Sequence, residues 1–187
     1  DNAEREMVAA VAGDLNEAHL AGTKICADIW KISLPTRADV VIASPGGFPR
    51  DFDLHQAQKA SSVAEMACKR GGHIIIVAET PDGSAKFGKH LKNANSPEEV
   101  VEMFQRIGMT ADATGKAYMW ARGLLKHRVS IVGSRIPKEE LHEMFFYSYD
   151  TIEEAVEDSL RIYGEDATFA VIPHASDIFV RIEDEEA

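Results

Sequence analysis

The 187-residue sequence predicts an α/β fold: three layers, with a largely parallel sheet of about five or six strands between helices. Three observations carry this. Short β-branched apolar runs alternate with longer amphipathic stretches, the order that a parallel sheet with crossover helices requires. The run Ile74–Ala78 is apolar at successive positions, as a strand buried on both faces should be. Capping residues, glycines and prolines punctuate the chain between these runs.

Taken in order, Met7–Ala12 reads as a first short strand. Asp14, with Glu17 three residues on, forms a capping-box pattern that opens a helix to about Trp30. Ala38–Ala43 is the next strand, centred on Val40, Val41 and Ile42, and Ser44-Pro45-Gly46-Gly47-Phe48-Pro49 is a turn-rich loop. Asp53 caps a helix expected to run to about Arg70 and to stop at Gly71-Gly72. After the strand Ile74–Ala78 and a turn at Pro81–Ser84, helices are expected at Ala85–Leu91, Pro97–Ile107 (capped by Ser96) and Thr114–Lys126. Arg128–Val132 is a strand, Pro137–His142 a short helix and Thr151–Tyr163 an acidic amphipathic helix ended by Gly164. Thr168–Ile172 and Ile178–Ile182 are the last strands, and the acidic tail Glu183–Ala187 is expected to fray.

Composition narrows the function classes. Twenty basic against thirty-one acidic residues leave a formal charge of −11, with no basic stripe, which argues against nucleic acid and against an anionic membrane surface. No apolar run approaches the roughly 18–20 residues of a membrane span. Cys26 and Cys68 fall in predicted helices with no zinc spacing, so they read as small buried hydrophobes in a reducing, cytoplasmic setting. No metal-ligand set is expected. The chain opens Asp-Asn-Ala-Glu and runs at once into a hydrophobic stretch, which suggests a piece of a longer protein. The 187 residues are therefore expected to form one α/β domain of that longer protein.

In such folds ligands lie beyond the carboxyl ends of the strands. Ser44, Gly46 and Gly47 fill that place here. Adjacent glycines let a ligand approach the backbone, and the helix that follows favours an anion. A plain strand-to-helix turn explains the same residues. Gln56 lies at the start of the helix face formed by Ala60, Val63, Ala64 and Ala67, while His55 and Lys59, four apart, share an adjoining face. A cation near a helix start opposes the local field and can mark an anion site. The competing explanations are a capping-box role for Gln56 and a solvated Lys59. His174 after Pro173 also falls near strand ends, where a lone histidine is more often structural. Tyr118 and Trp120 are expected in the core or an interface, with Lys116 exposed, and Glu153, Glu154, Glu157 and Asp158 read as a solvated face. No catalytic triad or carboxylate pair can be assembled.

Ala38–Asp51, and the continuation Gln56-Ala57-Gln58-Lys59-Ala60, resemble the carboxy-terminal domain of nickel-dependent lactate racemases. Gly13-Asp14 with Glu17-Ala18-His19, Gly71-Gly72 and Val171-Ile172-Pro173-His174 extend the resemblance over most of the chain. It implies an enzyme part. In these racemases two α/β domains close on a nickel pincer nucleotide, which takes a hydride from a 2-hydroxy acid and returns it to either face. The amino-terminal domain mainly holds that cofactor, and the carboxy-terminal domain contributes a Tyr-Gln-x-x-Lys segment. By position, Gln56 and Lys59 match that segment, and His55 stands where the family has tyrosine. The resemblance thus implies catalytic roles for Lys59 and Gln56 and substrate or cofactor contacts for His55, Ser44, Gly46 and Gly47. The tyrosine departure points to a 2-hydroxy acid other than lactate, and Thr114-Gly115-Lys116 also departs from the family. The implied partners are the amino-terminal domain of the same polypeptide and a small 2-hydroxy acid, and these residues alone are expected to fold without turnover. The alternatives are a non-catalytic nucleotide-binding or regulatory module, with Ser44–Gly47 cradling a phosphate, and an interaction domain.

Overall fold

A computed structural model describes residue 2 and residues 6–108 and 114–183. Its elements run α1 (Leu15–Trp30), β1 (Lys31–Leu34), β2 (Ala38–Ala43), α2 (Leu54–Ala67), β3 (Cys68–Val77), α3 (Gly88–Lys92) and α4 (Pro97–Ile107). There follow α5 (Thr114–Leu124), β4 (Arg128–Val132), α6 (Lys138–Glu143), β5 (Tyr147–Tyr149), α7 (Ile152–Tyr163), β6 (Phe169–Ile172) and β7 (Phe179–Ile182). Five strands form a wholly parallel sheet in the order β5-β4-β3-β2-β6, and β1 pairs with β7, also in parallel, as a separate two-stranded sheet.

The period-two pattern of the central strands divides the core. Val41, Ala43, Ile74, Ile76 and Ile131 face α2, α5 and the shorter helices in the larger core. Val40, Ile75 and Val132 face the other way, where Ala155 of α7 covers them. This is the three-layer α/β fold. Helix α2 approaches the sheet through small residues, Ala57, Ala60, Ala64 and Ala67, all fully buried at three- and four-residue spacing. Trp120 of α5, 1% exposed, packs edge-on against Phe146 and donates its indole N–H to the Leu54 carbonyl at 3.3 Å. That bond ties α5 to the start of α2.

Several expectations change. Residues 7–12 form no strand: Met7, Val8 and Val11 are exposed, and among the described residues no strand supplies the ladder that an extended segment needs. Helix α2 ends at Ala67, not Arg70, and passes directly into β3. Gly71 and Gly72 therefore lie inside β3, in an irregularity where the register against β2 shifts between Ala38 and Val40. A Cβ on Gly72 would stand 2.5 Å from the Asp39 carbonyl oxygen and 2.7 Å from Cys68 Sγ, so close backbone approach, not helix termination, requires this glycine. The strands β1 and β5 were not expected. Ile178–Ile182 is a strand in substance, but it joins the small sheet. The caps Asp14, Asp53 and Ser96 accept backbone N–H bonds as the sequence suggests, and Thr151, expected inside its helix, also caps it. Within the expected frayed tail, residues 184–187 lie outside the described residues.

Candidate functional site

The order β5-β4-β3-β2-β6 places the reversal of strand progression between β2 and β6, so the crevice expected of this architecture opens at their carboxyl ends. The loop that follows β2 sits there. Ser44 donates its N–H to the Ile172 carbonyl at 3.0 Å and accepts from the Ala175 N–H at 2.9 Å, which locks it to the end of β6. Its Oγ accepts from the Gly46 N–H at 3.1 Å. Gly46 and Gly47 have φ of 105° and 75°, a region open chiefly to glycine. A Cβ on Gly46 would come within 2.9 Å of His174 Nδ1. Arg50 pairs with Asp177 at 2.9 Å across the same junction. The structure thus brings His174, exposed on its own segment, against the glycine loop.

A second cluster occupies the first two turns of α2. The Asp53 carboxylate accepts the Gln56 N–H at 2.7 Å, so Asp53 is an N-cap. Gln56 is no reciprocal capping-box partner. Its Oε1 accepts from Lys59 Nζ at 2.7 Å, one turn along. The Gln56 NH₂ and two ammonium protons of Lys59 are left to donate elsewhere. His55 is half-buried, and burial pushes its pKa below 6.5, helped by Lys116 and Lys59 and opposed by Asp53. The ring is neutral near pH 7.

Sequence reading placed Lys116 in solvent, and the structure corrects that. Lys116 and Trp120 are four apart on α5, so the buried indole carries Lys116 onto the same packed face. Lys116 Nζ donates to Gln58 Oε1 at 2.8 Å, and Gln58 Nε2 donates to Ser62 Oγ at 2.7 Å. Burial, then the charge of Lys59, lowers the Lys116 pKa, against the pull of Asp53. The i, i+4 relation to Trp120 was the available signal.

Ser44 bonds to the end of β6, Gly46 to the Ser44 hydroxyl and Gly47 to the Arg50 N–H within the loop, whereas Lys59 bonds to Gln56 within α2. The two clusters share the strand-end rim, since α2 starts beside the loop after β3, with the Leu54 N–H on the Gly83 carbonyl at 3.0 Å. Two cavities lie away from this rim. One of about 630 Å³ runs along α1 past Val11, Leu15 and Cys26, and one of about 390 Å³ lies at the far end of α2 among Arg37, Glu65, Arg122 and His127. Among the described residues no group of three or more His, Cys, Asp or Glu could hold a metal ion.

A family profile described as "Lactate racemase C-terminal domain" matches residues 34–180. The chain belongs to this family. A lactate racemase of Thermoanaerobacterium thermosaccharolyticum is 32% identical over 184 residues, covering 96% of this chain and 43% of the relative. One from Lactiplantibacillus plantarum is 29% identical over 184 residues, covering 95% and 43%. The solved lactate racemase apoprotein from T. thermosaccharolyticum superposes with a TM-score of 0.82 at 30% identity, over 90% of this chain and 41% of that one. A Thermotoga maritima protein, 11% identical with a TM-score of 0.58, shares the fold alone. This racemase-family chain spans less than half the length of the lactate racemases it matches. Among the described residues no helix is long and apolar enough to cross a membrane.

Proposed function

We propose that this chain is the substrate-side, carboxy-terminal half of a nickel-dependent racemase or epimerase acting on a small 2-hydroxy acid. The observation that carries the reading is the pairing of Lys59 Nζ with Gln56 Oε1 at 2.7 Å on the rim of the sheet, in a chain of the lactate racemase family. An ammonium held by a neutral amide keeps its full charge and a fixed direction. In a closed cleft of low dielectric it would hold the substrate carboxylate and polarise its oxygens. Gln56 would donate its NH₂ to the same ligand, and neutral His55 would donate or accept one hydrogen bond beside it. Ser44, Gly46 and Gly47 would line the neighbouring wall.

The family's cofactor is a nickel pincer nucleotide, and the donor set here fits its oxygen-bearing parts, not its metal. Lysine ammonium, amide and backbone N–H groups suit anionic oxygens, whereas a nickel ion takes imidazole, thiolate or carboxylate ligands, of which His55 alone would supply one. Lys59, Gln56 and His55 are thus the residues of this chain that would face substrate and cofactor, and the nickel would be held mainly by an amino-terminal domain of the same polypeptide. When bound, the cofactor supplies reversible hydride transfer at the substrate's C2. The free thiols of Cys26 and Cys68 suit the cytoplasm.

The test is racemisation of a panel of 2-hydroxy acids by the complete, nickel-loaded polypeptide and by this chain alone. The complete protein should turn over and the 187-residue chain should not. Lys59→Ala should lower kcat/KM by about 100-fold or more, with the unfolding midpoint unchanged. Full activity in Lys59→Ala, or turnover by the chain alone, would overturn the reading. A non-catalytic nucleotide-binding module remains the second reading, favoured by the positive φ of Gly46 and Gly47 at the switch point. Nucleotide binding by this chain without nickel would support it.

A further inference from the structure

Resting on the function proposed above, we infer that Lys116 is a specificity-determining residue that receives a second anionic group, so that the 2-hydroxy acid taken is a dicarboxylate. The argument starts from helix geometry. Residues 55, 58, 59 and 62 follow the i, i+3, i+4, i+7 spacing and form one face of α2. Lys116 docks on that face from α5, through its 2.8 Å bond to Gln58 Oε1. Its place is built. Gln58 is 1% exposed, and its NH₂ is committed to Ser62, which turns the carbonyl end toward the ammonium.

The charge count then decides what the face is for. The chain is acidic, and Lys69, Lys92, Lys126 and Lys138 each reach a carboxylate. Among the described residues Lys59 and Lys116 reach none; both rest on neutral amide oxygens, which fix an ammonium without cancelling it. The nearby acid, Asp53, already accepts the Gln56 N–H at the start of α2. The positive end of the α2 macrodipole adds to the surplus. One carboxylate on Lys59 would leave the half-buried Lys116 charge unmatched. A second carboxylate would match it, and an uncharged side chain would leave it desolvated for nothing.

The experiment is an NMR titration of the labelled 187-residue chain with malate, lactate and inorganic phosphate, following His55, Lys59 and Lys116. Malate should bind at least about tenfold tighter than lactate. Lys116→Met should reduce malate to the lactate level, Lys116→Arg should restore the preference, and Lys59→Met should weaken both acids. Equal affinity for the two acids, an unchanged ratio in Lys116→Met, no malate response, or an equal response to phosphate would each overturn the inference. A parallel racemisation assay on the nickel-loaded complete polypeptide separates the two levels. Turnover of lactate with malate rejected sinks the dicarboxylate and keeps the racemase. Malate binding at Lys116 without turnover of any 2-hydroxy acid sinks the racemase and keeps the ligand class.

Discussion

His73 and His55 are both held below the ordinary imidazole range by burial, yet they stand in opposite kinds of surroundings. His73 lies in the middle of the sheet, fully buried, with its pKa at about 4. Its Nδ1 is 2.8 Å from Ser159 Oγ and its Nε2 2.9 Å from Ser130 Oγ. Ser159 already donates its hydroxyl to the Ala155 carbonyl at 2.7 Å. The histidine must therefore donate from Nδ1 and accept at Nε2, a neutral tautomer with both nitrogens satisfied. The network bolts β3 to β4 and to α7. His55 is surrounded instead by Lys59 and Lys116, cations held on amides and, among the described residues, paired with no carboxylate of their own. The same residue type, shifted in the same direction, serves structure where its partners close on one another. Where charge is left over, it marks a place for a ligand.

The largest test of that contrast is truncation. His73→Ala removes a buried ring and leaves the Ser130 hydroxyl without its acceptor, and should cost about 4 kcal/mol of stability. His55→Ala should cost less than about 0.5 kcal/mol. Urea unfolding midpoints measure both, and equal losses would erase the distinction. A second test uses pH. The folded His73 pKa, about 4, lies below its ordinary 6.5, so between these values the unfolded chain binds the proton and the folded one does not. Stability from this residue is complete above pH 6.5 and is lost as pH falls toward 4, by at most about 3 kcal/mol. The slope of unfolding free energy against pH over that window should flatten in His73→Ala. A slope unchanged by the substitution would show that the network does not hold the proton off. The smallest effect sharpens the structural side. Gly72 precedes His73, and an alanine Cβ there would meet the Asp39 carbonyl at 2.5 Å. Gly72→Ala should cost about 2 kcal/mol, read as a fall in Tm, whereas an unchanged Tm would mean that β2 and β3 yield without strain.

The sequence by itself determined the α/β class, most of the helices and the central strands, because those signals are local. Ile74–Ile76 are apolar on both faces, and Asp14, Asp53 and Ser96 stand one residue before their helices. It also gathered His55 and Lys59 on one helix face beside Gln56, since spacing along a helix is fixed before any tertiary contact forms, while the family resemblance singled out Gln56 and Lys59. Tertiary structure decided what depends on partners. Residues 7–12 carry a strand-like composition but have no strand to pair with, while the unremarkable Lys31–Leu34 and Tyr147–Tyr149 pair with β7 and β4. Gly71-Gly72 reads as a helix stop in the sequence, and only the positive φ of Gly71 within β3 and the approach of Asp39 to Gly72 show that these glycines serve a strand. Lys116 lies far from Lys59 in sequence, and the bond from Trp120 to the Leu54 carbonyl sets its helix against α2. Local preference is written residue by residue, but which charges end up side by side is set by helices packing on a shared sheet, and no single segment encodes that.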